Sequence, residues 1–425
     1  MIWVALVFVV TMVAGMPIAF VLALTGFVHL WTMDTSYFSV IPQRMFSGIN
    51  ISSLTAIPFF IVAGELMNGG GVTERLLKFV KELVGFVKGG LAYATVGTAV
   101  ILSAILGSAN AVASILSTVT IPEMKKQGYD PEFSGALIAS SGVLGPIIPP
   151  SVTFIFYSVL SGASVKALFM AGIIPGLLIA LSYCVVVGMY VRKKDVPKIS
   201  ERINPKELFK SFLYALPGLL VPLVIVGGVM FGIFTPTESG AIACVFAIVA
   251  SIFYRSLDIR KLPQMMLRAG MASAGIMFII AAGNIMGWSM AVDRIPELIQ
   301  STILGFTDNK YIVILLMLIV LVIVGCLMEA TAAMLIFTPV MLGLATSIGM
   351  DPLHFGLIFC VMLTIALVTP PVGMTLFVTS NVSGIEFTKI ARAAVPFCAA
   401  ALAITALLAY FPDAVLFLPR LLLGY

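Results

Sequence analysis

Two sets of oxygen-bearing and glycine residues stand where ions or acids could be held without covalent chemistry. One set is Ser108, Asn110, Ser140, Ser141, Gly142, Gly145 and Thr153, spread over an apolar stretch broken at Gly107-Ser108-Ala109-Asn110 and at Gly145-Pro146-Ile147-Ile148-Pro149-Pro150. The other is Gly325, Glu329, Thr331, Thr369, Gly373, Met374 and Thr375, around Gly325-Cys326-Leu327-Met328-Glu329-Ala330-Thr331 and Thr369-Pro370-Pro371. Hydroxyl, amide and main-chain carbonyl oxygens suit a hard cation such as Na⁺, while helix N-termini suit a carboxylate. Small polar residues also serve close helix packing in membranes. Their clustering at breaks in apolar segments, twice over, favours a binding site.

The two sets are copies. At one fixed offset Gly128, Asp130, Pro131, Gly135, Pro149 and Pro150 fall on Gly349, Asp351, Pro352, Gly356, Pro370 and Pro371. An offset two residues shorter places Phe59, Ile61, Ala63, Gly64, Met67 and Arg75 on Phe278, Ile280, Ala282, Gly283, Met286 and Arg294. Each copy sets a double proline inside an apolar segment, where proline removes a donor and frees a carbonyl. Within a bilayer that is tolerated only where the broken backbone is buried in protein or lines a wet cavity. Matched, interrupted spans in corresponding halves point to the binding site of a secondary transporter.

Composition agrees. Of 425 residues 60% are hydrophobic and 10% charged, against about 25% charged in a globular domain. Apolar runs recur from end to end, as in a polytopic helical membrane protein. The net charge of +5 is scattered among short loops and implies no nucleic-acid partner. Cys184, Cys244, Cys326, Cys360 and Cys398 sit singly in apolar stretches and read as core hydrophobes. No phosphate-cradling GxxxxGK[ST] motif occurs, so no nucleotide is expected and energy must come from an ion gradient or another subunit.

The elements that must position these residues follow in order. Residues 2–28 read as a retained first span kinked at Gly15-Met16-Pro17, not a secretory leader. Trp31 to Ser53 reads as interfacial and Leu54 to Met67 as a short apolar segment ended by Asn68-Gly69-Gly70-Gly71. Val72 to Val87 reads as an amphipathic surface helix. Leu91 to Ile121 is too long for one span and too short for two, so a re-entrant hairpin is expected, closed by Pro122; its counterpart is Tyr311 to Met341, closed by Pro339. Proline-broken spans follow at Phe133–Val159 and Phe355–Val382. Further spans are expected at Lys166–Val191, Phe212–Phe234, Ser239–Tyr254 and Ala269–Ala291, and a last one at Ala394–Leu418. Placing residues 192–210 in the cytoplasm puts every Lys and Arg inside except Arg44, Lys166, Arg294, Lys310 and Arg420. The hairpins then enter from opposite faces, so the repeats are inverted.

Single residues carry alternatives. Glu329 reads as the only acidic residue deep in an apolar run, which makes it a functional candidate by default. It could attract Na⁺, take part in proton coupling, bind substrate hydroxyls, or simply bond the hairpin backbone. Asn284 and Asn381 are either packing or cavity-lining residues. Asp130 and Asp351 each precede a helix-starting proline and read as caps. His29 and His354 are too isolated to suggest a metal site. Thr235-Pro236-Thr237-Glu238 reads as an N-cap and turn, with Glu238 available to a partner.

Taken together, the sequence resembles the large membrane subunit of a tripartite ATP-independent periplasmic (TRAP) transporter. The resemblance rests on Ile57-Pro58-Phe59-Phe60-Ile61-Val62-Ala63-Gly64-Glu65-Leu66-Met67, Gly107-Ser108-Ala109-Asn110-Ala111, Gly145-Pro146-Ile147-Ile148-Pro149-Pro150-Ser151, Thr235-Pro236-Thr237-Glu238-Ser239-Gly240 and Thr369-Pro370-Pro371-Val372-Gly373. It covers essentially the whole chain. It implies an all-α polytopic protein of the bacterial inner membrane, with inverted repeats, two re-entrant hairpins and two proline-broken helices, working by an elevator motion. Residues 1–90 would form an N-terminal scaffold span with interfacial and arm helices, and 91–160 the first transport-domain repeat. Residues 161–268 would be scaffold and connecting spans, 269–309 a scaffold span and arm, 310–383 the second transport-domain repeat, and 384–425 the C-terminal span. The implied partners are a small membrane subunit, here on a separate chain, and a soluble periplasmic substrate-binding protein. The implied coupling is two or more Na⁺ ions, held by Ser108, Asn110, Gly142, Gly145 and Pro146 and by Gly325, Thr369, Gly373 and Met374. The implied substrate is an organic acid (C4-dicarboxylate, sialic acid or other sugar acid) near Ser108, Thr153, Ser164, Glu329 and Thr331. Some members carry aspartate where Glu329 stands. The residues alone leave room for a sodium–carboxylate symporter of similar hairpin architecture that needs no binding protein, and for a passive channel or membrane scaffold.

Overall fold

The computed structural model describes residues 2–69, 71–255, 258–307 and 309–425, and the described residues form helices and connecting turns without strands. Gly70, part of the expected break at 68–71, lies outside them. Before the first repeat come α1 (Ile2–Val13), α2 (Ile18–Met33), α3 (Val40–Ile49), α4 (Ala56–Gly69) and α5 (Val72–Val84). The first repeat is α6 (Gly90–Leu106), α7 (Ala109–Lys126), α8 (Pro131–Gly142) and α9 (Val152–Ser161). Linking helices are α10 (Val165–Lys193), α11 (Pro205–Met230), α12 (Pro236–Phe253), α13 (Leu262–Val292) and α14 (Ile295–Phe306). The second repeat is α15 (Lys310–Leu327), α16 (Ala330–Ser347), α17 (Pro352–Ile365) and α18 (Met374–Ser383), followed by α19 (Phe387–Tyr410) and α20 (Pro412–Leu423).

Seven of these helices are long and apolar enough to cross a membrane, eight if residues 35–49 and 52–67, bent by 57°, are one broken span. The segment expected in the interface, Trp31 to Ser53, thus holds the end of α2, a short 3₁₀ turn at Thr35–Ser39 and α3. The first span is likewise two helices, because Gly15 takes a left-handed φ of +75° and Pro17 follows it. The expected last span ends at Tyr410, and Pro412 opens the separate α20.

Pro122 and Pro339 do not close the hairpins. They lie inside α7 and α16, which run on to Lys126 and Ser347. A membrane helix can carry an internal proline when its neighbours cover the freed carbonyl, and Pro175, Pro217, Pro222 and Pro396 are also internal.

Local chemistry explains where helices begin. Asn309 caps α15 through Tyr311 N (2.9 Å), and Thr235 and Glu238 form a capping box that starts α12. Glu238 is thus occupied within its own helix. Asp351 caps α17 through Leu353 N (2.8 Å) and His354 N (3.1 Å), as expected. Asp130 does not cap α8; its carboxylate takes hydrogen bonds from Tyr190 of α10 (3.0 Å) and from Lys194 just past the end of α10 (3.0 Å). The cap yields because a longer-range partner reaches the same oxygens.

The repeats clasp each other. The trailing helix of the first copy, α9, packs on α16 and α17 of the second, while α18 packs on α7 and α8 of the first. Between them α10 and α19 pack on one another, with α10 also against α17 and α19 against α8. Large side chains fill this junction: Phe133 stacks on Tyr190 with ring centroids 3.5 Å apart, and Tyr183 meets Phe397 edge to face at 5.6 Å. Tyr157 of α9 donates to the Pro352 carbonyl (3.0 Å) and lies where a side chain on Gly356 would point.

Candidate functional site

Both breaks after the hairpins are built from the prolines that interrupt them. In the first, α8 stops at Gly142, residues 143–151 turn without helix, and Ser151 restarts the chain by capping α9 through Phe154 N (3.2 Å). In the second, α17 tightens into a short 3₁₀ turn at Ala366–Val368, and α18 starts after Gly373, whose φ of +53° suits glycine. The hairpin tips turn at Gly107 (φ +60°) and at Met328-Glu329.

These breaks and tips meet around a cavity of about 420 Å³. The first copy contributes Ser108, Asn110, Pro146 and Thr153, and the second Glu329, Thr331, Thr364 and Met374. Opposite them stands a wall from outside α6–α9 and α15–α18: Ile18 of α2, Ile61, Gly64 and Glu65 of α4, and Ala272, Ile276 and Ile279 of α13.

Among the helix N-termini that border the cavity, those of α16 and α7 differ in chemistry. At α16 the Glu329 carboxylate accepts from Thr331 N (2.9 Å), Ala332 N (3.2 Å) and Thr331 Oγ1 (2.8 Å), so the end of that helix is satisfied from within the chain. Glu329 is therefore bonded to the hairpin backbone and lines the cavity as well. At α7 no side chain caps the first turn, because Ser108 makes no such bond. Its leading N–H groups remain for an anion.

Behind the first tip lie oxygen atoms without partners. Asn110 Oδ1, Ser140 Oγ and Ser141 Oγ are buried and make no hydrogen bond among the described residues. Buried polar atoms are rarely left so, and an unseen water or ion is a usual reason. Gly142 and Gly145 bring this segment against the tip. A Cβ on Gly142 would sit 2.8 Å from the Ala109 carbonyl oxygen, and one on Gly145 would sit 2.8 Å from that of Ser108. The donor set is hydroxyl, amide and carbonyl oxygen, which fits a hard monovalent cation.

The other expected residues are placed differently. Ser164 is exposed and caps α10 through Ala167 N (3.4 Å); it does not reach the cavity. Gly325 is buried against Ala366 and Leu363, and Thr369 bonds the Ile365 carbonyl (3.1 Å); neither lines the cavity, nor does Gly373. Asn284 packs against Gly48, and Asn381 is exposed. His29 bonds Ser289 (3.1 Å) and Asp293 (3.2 Å), while His354 bonds the Leu408 carbonyl (2.9 Å), so the two histidines do not meet. Sequence reasoning passed over Glu65. It lines the cavity and makes no hydrogen bond or ion pair among the described residues. Its signal was an acid within the apolar run Leu54 to Met67, next to the Asn68 break.

A helical membrane protein with two interlocked repeats and a cavity at their breaks is a transporter architecture. The structure resembles the YdaH transporter of Alcanivorax borkumensis, with a TM-score of 0.64 at 12% identity over 89% of this chain and 88% of that one. Residues 5–414 match the family model described as tripartite ATP-independent periplasmic transporter, DctM component. Among relatives, the sialic acid TRAP transporter large permease protein SiaM of Vibrio cholerae is 34% identical over 100% of this chain and 98% of its own. The 2,3-diketo-L-gulonate TRAP transporter large permease protein YiaN of Escherichia coli is 32% identical over 95% of both chains. The isethionate TRAP transporter permease protein DctMQ of Oleidesulfovibrio alaskensis is 35% identical over 95% of this chain but only 64% of its own. The chain belongs to the DctM family of TRAP transporter large permeases, a family of transporter subunits and not of enzymes.

Proposed function

We propose that this chain carries a small organic acid inward across the bacterial inner membrane, coupled to Na⁺. The acid arrives on a periplasmic binding protein, and the chain works beside a small membrane subunit. The observation that carries the reading is the pairing of an uncapped α7 N-terminus with orphaned oxygens of Asn110, Ser140 and Ser141 directly behind it. The former suits a carboxylate and the latter a sodium ion, so each ligand would strengthen the binding of the other. Pro146, Gly142 and Gly145 hold that arrangement together, and two or more ions would be carried per cycle. Relatives named for sialic acid, 2,3-diketo-L-gulonate and C4-dicarboxylate support an organic acid as substrate. The extra length of the DctMQ relative supports a small-subunit partner.

For transport, the repeats would slide as one body past α2, α4 and α13, the hairpins being re-entrant. In support, the cavity is bounded by the repeats on one side and by those three helices on the other. Thr153, Thr331 and Glu329 would meet the hydroxyls of the acid.

The experiment is uptake into proteoliposomes holding both membrane subunits, with sialic acid and a C4-dicarboxylate as probes. Accumulation should require an inward Na⁺ gradient and the binding protein. Full-rate uptake without the binding protein would favour a two-component symporter, and uptake indifferent to Na⁺ would refute the coupling.

A further inference from the structure

Far from the cavity, cations from two helices line one cleft. Arg75 and Lys78 of α5 lie across about 240 Å³ of space from Lys210, Ser211 and Tyr214 of α11. Among the described residues no carboxylate lines the cleft, since Glu74, Glu82 and Glu207 fall outside it. Arg75 is held in place, donating to the Gly71 carbonyl (2.7 Å) and lying 4.1 Å from the centre of the Tyr254 ring. Lys78 and Lys210 are exposed and form no ion pair among the described residues. Lys78 and Lys210 thus face a shared space with no carboxylate lining it among the described residues, beside the anchored guanidinium of Arg75.

The surroundings indicate what kind of anion. Lys210 and Tyr214 lie in the first turns of α11, a helix long and apolar enough to cross the membrane, so the cleft falls at headgroup depth. Beside it Phe209, Leu213 and Leu83 are exposed and apolar. The Lys and Arg bias puts this end of α11 in the cytoplasm. A free anion would gain nothing from the apolar flank, whereas a molecule with a phosphodiester and acyl chains would use both parts.

We propose that the cleft between α5 and α11 binds the phosphodiester headgroup of an anionic phospholipid from the cytoplasmic leaflet. Basic pockets between membrane helices on that side are suited to such headgroups. The lipid supplies a counter-charge to Lys78 and Lys210 and fastens α5, the helix leading into the first hairpin, to α11.

The test is native mass spectrometry of the purified full-length chain titrated with phosphatidylglycerol, with phosphatidylcholine in parallel. Tight binding should be confined to phosphatidylglycerol. Each neutralised cation near a membrane surface weakens attraction about fivefold, so Lys78→Gln with Lys210→Gln should weaken it roughly 30-fold. Both side chains are exposed, and an unchanged circular dichroism spectrum and elution volume will show that the variant folds. Lys193→Gln with Lys198→Gln should bind as the parent does. Equal affinity of the Lys78/Lys210 variant and the parent would overturn the proposal. So would equal binding of phosphatidylcholine, or displacement of the lipid by millimolar inorganic phosphate, which would make the cleft a free-anion site.

Discussion

The two unwound segments come from one ancestral sequence and live in different surroundings. Residues 143–151 are all buried, Pro149 and Pro150 included, whereas Pro370, Pro371 and Val372 are exposed. Both proline pairs nevertheless carry a cis bond. Hydroxyls beside the second break are already used: Thr364 bonds Cys360 (2.7 Å), Thr369 bonds Ile365 and Thr375 bonds Leu367 (2.7 Å). Those of Ser140 and Ser141 beside the first are not. The hairpin tips divide the same way, with Glu329 filling one helix end and nothing filling the other. At the tip and beside the break, one copy thus leaves hydroxyls and a helix end open while the other has them bonded, although Thr338 and Thr379 of the second copy are also without partners elsewhere.

The sharpest way to break this contrast is at the first tip. Asn110→Ala removes an oxygen we assign to the ion, and a hydrogen-bond-like contact to a charge contributes about 1.5–3 kcal/mol. Na⁺-driven uptake should fall about 10- to 100-fold with assembly intact; unchanged uptake and Na⁺ affinity would remove Asn110 from the site. Gly145→Ala places a methyl 2.7 Å from the Ser108 carbonyl carbon, so it should lower uptake comparably. Val372→Ala at the exposed second break should leave uptake within about twofold, because little packing is lost there.

Glu329→Gln tests the filled helix end. The amide oxygen keeps an acceptor for the cap while the charge is lost. A pure cap would show a small fall in thermal stability and normal transport, whereas the cavity role predicts weaker uptake with stability nearly unchanged. The smallest effects belong to the two aspartates that share a motif but not a partner. Asp351→Ala should cost about 1 kcal/mol, as cap losses do. Asp130→Asn loses a partly exposed ion pair and should cost about 0–1 kcal/mol. Chemical denaturation in a fixed detergent compares them, and a larger loss at Asp130 would show that its hold on α10 outweighs a cap.

Glycine and proline punctuation made much of this fold legible. Gly107, Pro149-Pro150, Gly373 and Asp351 each mark a turn, a break or a cap where the structure has one, because these residues act on their own backbone. Pro122 and Pro339 misled because neighbouring helices can cover a freed carbonyl, which local reasoning does not see. Asp130 misled for the same reason, since Tyr190 and Lys194 approach from far along the chain. Within the site, Ser108, Asn110, Thr153, Glu329 and Thr331 were readable as polar residues at breaks in apolar runs. Ser164 was carried in by family likeness and caps a helix instead. Glu65 was hidden by standing next to a glycine-rich break, where an acid looks like a boundary residue.

The crossed seating of α9 on α16 and of α18 on α7 has a mechanical meaning. Under the proposed sodium coupling, a tilting tip would pull on the trailing helix of its twin, so an ion settling behind one would be felt at the other without any separate relay. The junction that conveys this is the aromatic seam that α10 forms with α8, through Phe133 and Tyr190, and with α19, through Tyr183 and Phe397. A shortened ring there, at Phe133 or Tyr183, would loosen the gearing between ion and acid before it emptied either seat.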